Sequence, residues 1–399
     1  MKKISMLCMV FFLLCMSFAS KSYAEGEDQP GIIGQYGVSI DAKTGDVYYD
    51  KGANEPAYPA SMTKLLTAII IDETMKDDEK IDATPDAIGT ECSCYGLEKD
   101  EKLSKSDALH ALMIKSANDV SVAVAEHIGG SIKDFAKIMN KRAKEIGVSD
   151  NTNFVTPNGL TDVNHHVTPH DMALILREAI KHPAILDAMK ASEYTVKSNK
   201  KEVVLGRHDS IFKIPHAVGG KTGFTNAAGN TLAVYYKDGD KEVITVVMKS
   251  NPSGHYSDSK TMSEYAFDRM DVSTIIKKGD SLKEVKVDGK TVHLLAKDEF
   301  SLTHPKDKKP HYTIKTTLEK KEMKKGQVVG KAEIHEGDNV VGTIDVVSDT
   351  SIVAKELPVK NHEEVKNQIS IWWAVGIPWL FYIGYLFYFN IQRKKKVKS

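Results

Sequence analysis

From Asn367 to Gln392 the chain carries no charged residue, and Arg393, Lys394, Lys395, Lys396 and Lys398 follow at once. An uncharged run of about 25 residues suffices to cross roughly 30 Å of hydrocarbon as a helix. The positive-inside rule puts the basic tail in the cytoplasm, so all that precedes Ile369 is expected outside the membrane. A helix lying on the surface would need a polar face, and none is visible; Pro378 adds a kink. At the other end, Lys2 and Lys3, an apolar run from Met6 to Phe18 and the sequence Ser22-Tyr23-Ala24 read as a secretory signal peptide. Cys15 raises a lipoprotein alternative, but Leu14 stands before it where a small residue is expected.

Between these ends the sequence predicts an α+β fold with a later β unit. VSIDAKTGDVYYD reads as two strands around a turn, and NTLAVYYKDGDKEVITVVMKS as a hairpin about Asp238-Gly239. Helical periodicity marks Ser61 to Met75, Lys105 to Lys115, Val120 to Ile128, Ile132 to Ile146, Pro169 to Lys181 and Ser257 to Arg269. Thr168 as N-cap, Pro169 at the first helical position and Asp171 in the first turn start one of them. After Asp271 short β-branched runs take over. The expected organisation is a signal peptide over 1–24, a mixed domain over 25–271, a β-rich domain over 272–359, a linker over 360–368, a span over 369–391 and a basic tail over 392–399.

Lysines and arginines number 54 and aspartates and glutamates 54, and part of the positive share sits in the leader and tail. No basic domain remains to bind nucleic acid. Of four cysteines, Cys8 and Cys15 leave with the leader, so an exported fold with only Cys92 and Cys94 must rely on its core. A C-x-C bridge closes a very small ring, and these two read as free or redox-labile thiols.

Lys-Thr-Gly occurs twice. At Lys43-Thr44-Gly45 it lies between two strands and reads as a turn, with Gly45 supplying the geometry and Lys43 and Thr44 facing water. At Lys221-Thr222-Gly223 small residues flank it on both sides, which lets a ligand or another backbone approach. Upstream, PASMTKLLTAII sets Ser61 and Lys64 three apart on one face of a helix start. Ser-x-x-Lys also occurs at Ser198, Ser210 and Ser257, but without that context. MIKSANDVSVAV interrupts two apolar helical stretches with Ser116-Ala117-Asn118; Ser149-Asp150-Asn151 has the same spacing and no such flanks.

The three sets suit one job. A serine hydroxyl needs a base to become a nucleophile. Lys64 can be that base if burial and the charge of Lys221 disfavour its ammonium form. Ser116 can pass a proton to a leaving amine, and Asn118 can hold Lys64 and a substrate amide. Lys221, Thr222 and Thr225 offer charge and hydroxyls to a carboxylate, and the backbone N–H groups of Ser61 and Phe224 are candidate oxyanion donors.

On PASMTKLLTA, the Ser116-Ala117-Asn118 loop, FVTPNGLTDVNHH and GGKTGFTNAAG, the chain resembles the low-molecular-weight penicillin-binding proteins, the serine D-alanyl-D-alanine carboxypeptidases. The resemblance implies a transpeptidase-like catalytic domain with helices on an antiparallel sheet, an appended β domain, and removal of the last D-alanine from peptidoglycan stem peptides through an acyl-enzyme on Ser61. β-Lactams would acylate the same serine, and no cofactor or metal is needed. Two features depart from the family: the anchor reads as a true span where many members use an amphipathic helix, and Cys92-Ser93-Cys94 replaces a polar loop near the cleft. His165, His166 and His170 lack zinc-ligand spacing, and His166 reads as a loop residue packing on the next helix. Rival readings are a β-lactamase, a DD-endopeptidase and a non-catalytic sensor. Against the first, no glutamate between Asn118 and Lys221 has an asparagine four residues on.

Overall fold

A computed structural model describes residues 29–287, 289–319, 323–337 and 339–352. The expected signal peptide, linker, span and tail lie outside the described residues; among the described residues no helix is long and apolar enough to cross a membrane. Strands β1 (Tyr36–Asp41) and β2 (Val47–Lys51) form the first hairpin. A 3₁₀ turn (Ala60–Thr63) leads into helix α1 (Lys64–Thr74). Next come β3 (Lys80–Asp82), α2 (Pro85–Ile88), β4 (Lys102–Ser104) and α3 (Lys105–His110). A π turn (Ala111–Lys115) then leads to α4 (Asn118–Gly129), α5 (Ile132–Ile146), α6 (Pro169–Ala179) and α7 (Pro183–Lys190). The hairpin of β5 (Glu193–Lys197) and β6 (Glu202–Gly206) precedes β7 (Ala217–Thr225), β8 (Gly229–Asp238), β9 (Lys241–Ser250) and α8 (Gly254–Arg269).

The main sheet is antiparallel, in the order β2-β1-β9-β8-β7. Its two faces follow the period of two. Ala233 and Tyr235 of β8 pack into the large core with α1, whereas Leu232, Val234 and Tyr236 pack with Ala266 and Met270 at the end of α8. Helix α1 has Lys64 through Ile71 all buried, as a helix that is apolar all round must be. Helix α5 shows the opposite pattern: only Phe135, Met139 and Ala143 are buried, Ser131 caps its start and Gly147 its end.

The expected helix over Ser61 to Met75 is therefore split, with Ser61 on the 3₁₀ turn and the α-helix beginning at Lys64. The predicted Lys105–Lys115 helix likewise changes to the π turn at Ala111. Thr168 caps α6 through the Asp171 N–H at 3.0 Å, as its sequence implies. The first Lys-Thr-Gly is a turn, with Gly45 at φ 86°, but Thr44 is buried and does not face water. The Asp41 carboxylate accepts the N–H groups of Lys43 and Thr44 at 2.6 and 3.0 Å, and the guanidinium of Arg177 donates to the Ala42 and Lys43 carbonyls. That anchoring leaves Thr44 no freedom to turn outward.

Strand β10 (Met270–Ile276) continues directly from α8 and pairs with β13 (Phe300–Pro305). The second large sheet contains β11 (Ser281–Val287), β12 (Lys290–Ala296), β14 (Thr313–Leu318), β15 (Val328–Glu336) and β16 (Asn339–Ser348), in the order β11-β12-β16-β15-β14. It has its own core around Val292, Leu294, Val329, Ile334 and Val346. Thr303 of β13 donates to the buried carboxylate of Asp41, where burial pushes the Asp41 carboxyl up, and the Lys306 N–H donates to the Arg269 carbonyl at 2.9 Å.

Because Ile69 of α1 has no exposed surface, Ile69→Ala is expected to lower stability by about 2–5 kcal/mol. Urea unfolding followed by far-ultraviolet circular dichroism measures it; a change below about 1 kcal/mol would contradict the central packing of α1.

Candidate active site

Strand β7 is the outer strand of the sheet and pairs only with β8, so its free edge lies beside the turn that carries Ser61. The approach is close: a Cβ on Gly223 would stand 2.8 Å from the Ser61 nitrogen and 3.0 Å from the Ala60 Cβ. Glycine is the residue this contact admits. The second Lys-Thr-Gly lies inside β7, directly ahead of the β8–β9 hairpin. From the other side, Gly159 at φ 84° presses on the Ala60 carbonyl, where a Cβ would meet the oxygen at 1.8 Å.

Ser61, Lys64 and Asn118 converge. The Lys64 Nζ lies 2.9 Å from Ser61 Oγ, 2.8 Å from Asn118 Oδ1 and 2.8 Å from the Asn158 carbonyl. A neutral amine has two N–H donors and one lone pair. Donating to Asn118 and Asn158 leaves the lone pair for the Ser61 hydroxyl. Lys64 is completely buried, and burial first, then the charge of Lys221, holds its ammonium well below the ordinary lysine value, against a smaller opposing pull from Asp119.

Lys221 and Ser116 form the second half. Lys221 Nζ donates to Ser116 Oγ at 3.0 Å and to the Thr222 carbonyl at 2.8 Å. Burial, reinforced by the Arg207 charge, brings Lys221 down to about 7. Ser116 sits at φ 57° in the left-handed region, a strained position for a non-glycine residue that its place between the π turn and α4 imposes. Asn118 opens α4, as expected of a loop that interrupts two helices. One N–H of its amide is taken by the Glu91 carbonyl at 2.8 Å, which narrows what it can offer a substrate.

These groups surround a cleft of about 680 Å³ whose walls include Ser61, Asn118, Phe224 and Thr225. Phe224 is exposed, and Thr225 meets Thr161 across the cleft at 3.2 Å. Thr222 contributes its carbonyl to Lys221. Four of the nine candidate residues line the opening, Lys64 and Gly223 contact Ser61, and Lys221 contacts Ser116 and Thr222.

The sequence reading assigned no role to 158–161, which supply a cleft wall and an acceptor for Lys64, or to His165. Both lie within FVTPNGLTDVNHH, so the signal was present. The His165 Nδ1 accepts the N–H groups of Val155 and Thr156, each at 3.1 Å, and this leaves Nε2–H to donate to Thr63 Oγ1 at 2.9 Å. Burial lowers its pKa to about 4, so the ring stays neutral and locks the loop to the Ser61 turn. His166 pairs through its backbone with Asn153. Among the described residues the one carboxylate–histidine group compact enough for a metal is Glu73, Glu178 and His182. There Arg142 bonds both glutamates at 2.6 Å and supplies the positive charge.

Cys92 and Cys94 are joined in a disulfide, which corrects the reading of free thiols. With one residue between them the bridge staples no distant elements, and Cys92 lines the cleft.

Residues 24–252 match the family model described as D-alanyl-D-alanine carboxypeptidase. The chain belongs to the D-alanyl-D-alanine carboxypeptidase family. Residues 271–354 match the model of the C-terminal domain of penicillin-binding protein 5, as expected of a low-molecular-weight penicillin-binding protein. D-alanyl-D-alanine carboxypeptidase DacF of Bacillus subtilis is 31% identical over 335 residues, covering 80% of this chain and 84% of its own. DacA of Haemophilus influenzae is 28% identical over 350 residues, covering 82% and 88%. Among solved structures, penicillin-binding protein 5 from Haemophilus influenzae aligns with TM-score 0.60 at 26% identity, over 82% of this chain and all of that one. A Streptococcus pneumoniae protein titled PBP3, at 22% identity and TM-score 0.67 over 81% of this chain and all of its own, shares the fold. Those likenesses cover both the α+β unit and the later all-β unit of this carboxypeptidase-family chain.

The buried lysines give a stability test. Between the folded value of Lys221, about 7, and the ordinary 10.5, the unfolded chain binds more protons, so stability climbs with pH through that window. Below about pH 7 the cost of enclosing the charge is complete. Lys221→Met is expected to raise the melting temperature at about pH 6, with the gain shrinking towards pH 10. Equal melting temperatures at both pH values would contradict an enclosed, depressed lysine.

Proposed function

We infer that this protein is a serine D-alanyl-D-alanine carboxypeptidase acting on peptidoglycan stem peptides, and that Ser61 carries the acyl group. The observation that supports it most is the arrangement of Lys64, whose lone pair has the Ser61 hydroxyl as its one remaining partner, at 2.9 Å. Lys64 takes the Ser61 proton as Oγ attacks the carbonyl of the penultimate D-alanine. The backbone N–H groups of Ser61 and Phe224 receive the oxyanion. Ser116, in contact with Lys221, delivers a proton to the departing D-alanine amine. Lys221, Thr222 and Thr225 hold the substrate carboxylate, with Gly223 admitting the close strand approach. Water then hydrolyses the Ser61 ester. A β-lactam presents a carbonyl and a carboxylate to the same groups, and its ring opens onto Ser61.

The unbroken chain from α8 into β10 and the separate core of the second sheet support a catalytic domain over 25–271 and a β-rich domain over 272–359. The uncharged stretch over 369–391 and the basic tail over 392–399 support a single-pass anchor in the cell membrane, with a signal peptide over 1–24 delivering the catalytic domain to the extracytoplasmic side. With both ends handled in this way, the cleft faces the wall.

Release of free D-alanine from a stem peptide ending in D-Ala-D-Ala, by detergent-solubilised full-length protein, tests the assignment. Wild type is expected to release it, and Ser61→Ala to lose at least about 10³-fold. Equal release by both would remove Ser61 from the reaction, and no release by folded wild type would contradict the activity.

A further inference from the structure

The disulfide at the cleft rim lies directly against Asn118. The Asn118 backbone N–H donates to the Ser93 carbonyl at 2.7 Å, and its Nδ2 donates to the Glu91 carbonyl at 2.8 Å. Those two carbonyls fall on either side of Cys92, and the Ser93 carbonyl lies within the ring that the Cys92–Cys94 bridge closes. With its backbone and amide nitrogen both held there, Asn118 has Oδ1 left to face Lys64 at 2.8 Å. Further along, the Asp119 carboxylate accepts the N–H groups of Tyr95, Gly96 and Leu97 at 3.0, 2.8 and 3.0 Å.

The two halves of this segment are secured differently. Tyr95 and Leu97 are buried, whereas Glu91, Cys92 and Ser93 are exposed. Ser93 Oγ donates to the Lys115 carbonyl at 2.8 Å, and Glu91 and Cys92 are exposed and stand outside the large hydrophobic core. An exposed loop without packing samples many conformations unless a covalent link restrains it. Here the link is the bridge.

We propose that the Cys92–Cys94 disulfide is a positioning element for catalysis, holding the Glu91 and Ser93 carbonyls so that Asn118 orients Lys64 towards Ser61, and that its reduction slows acylation. This rests on the carboxypeptidase reading. Reduction by a dithiol moves two electrons and two protons onto the bridge, giving two thiols, while the dithiol is oxidised to its own disulfide. Cys92 is exposed in the cleft and Cys94 half-buried, so the bridge is within reach of such a reagent. Opening it frees the 91–94 backbone without removing any group that touches substrate. The effect falls on the acylation step, because orientation of the base matters in the transition state.

The test follows Ser61 acylation by a fluorescent penicillin in full-length protein, before and after dithiothreitol, beside a Cys92→Ser/Cys94→Ser variant. Reduction is expected to lower the acylation rate constant by roughly tenfold or more, with the labelled fraction, the penicillin dissociation constant and the melting temperature unchanged. Reoxidation restores the rate, and the double variant matches the reduced enzyme and ignores dithiothreitol. An unchanged rate in both the reduced enzyme and the variant would overturn the proposal. So would a loss that appears as a smaller labelled fraction and a lower melting temperature, which is the mark of a merely structural bridge. Failure of the oxidised wild type to label at all, and to release D-alanine, would instead strike the carboxypeptidase reading itself.

Discussion

A lysine enclosed with no counter-charge in contact among the described residues sets the terms for the rest of this molecule. Lys64 has no exposed surface, and an isolated ammonium in that position is costly, which lowers its pKa well below the ordinary lysine value. Its partners, Ser61 Oγ, Asn118 Oδ1 and the Asn158 carbonyl, come from three separate segments. Each must arrive within hydrogen-bond distance at once, so much of the architecture amounts to holding those segments in register around one amine. The cost of the arrangement is spread over a core that is apolar on every side of α1.

Two close backbone contacts do this holding. Gly223 lets β7 come against the Ser61 turn, and Gly159 lets the 154–160 loop come against Ala60. His165, kept neutral by burial, ties that same loop to Thr63. A second enclosed lysine, Lys221, lies beyond Ser116 and lowers the first through its charge. Burial is the larger cause of the lowered Lys64 value, and the charge of Lys221 adds to it.

Much of this was legible in the residues. Thr168-Pro169 with Asp171 marks a helix start that the structure reproduces, because capping is decided locally. The three motif sets stand out by company and order, and the structure joins Ser61, Lys64 and Asn118, and Ser116 with Lys221. What stayed hidden depends on tertiary contact. The turn at Ser61 is 3₁₀ because Gly159 and β7 press on it; the burial of Thr44 follows from Arg177, distant in sequence. The role of His165 rests on bonds to Val155, Thr156 and Thr63 that no spacing announces. Ring size does not reveal the state of Cys92 and Cys94, because their segment also bonds to Asn118 and Asp119, more than twenty residues on.

The account turns on the protonation state of Lys64, and nuclear magnetic resonance of protein carrying ¹³C at the lysine ε-carbons reads it directly, with Lys64→Arg to assign the signal. The Lys64 resonance is expected to titrate well below those of the exposed lysines. A Lys64 signal that remains that of an ammonium up to about pH 10 would contradict it.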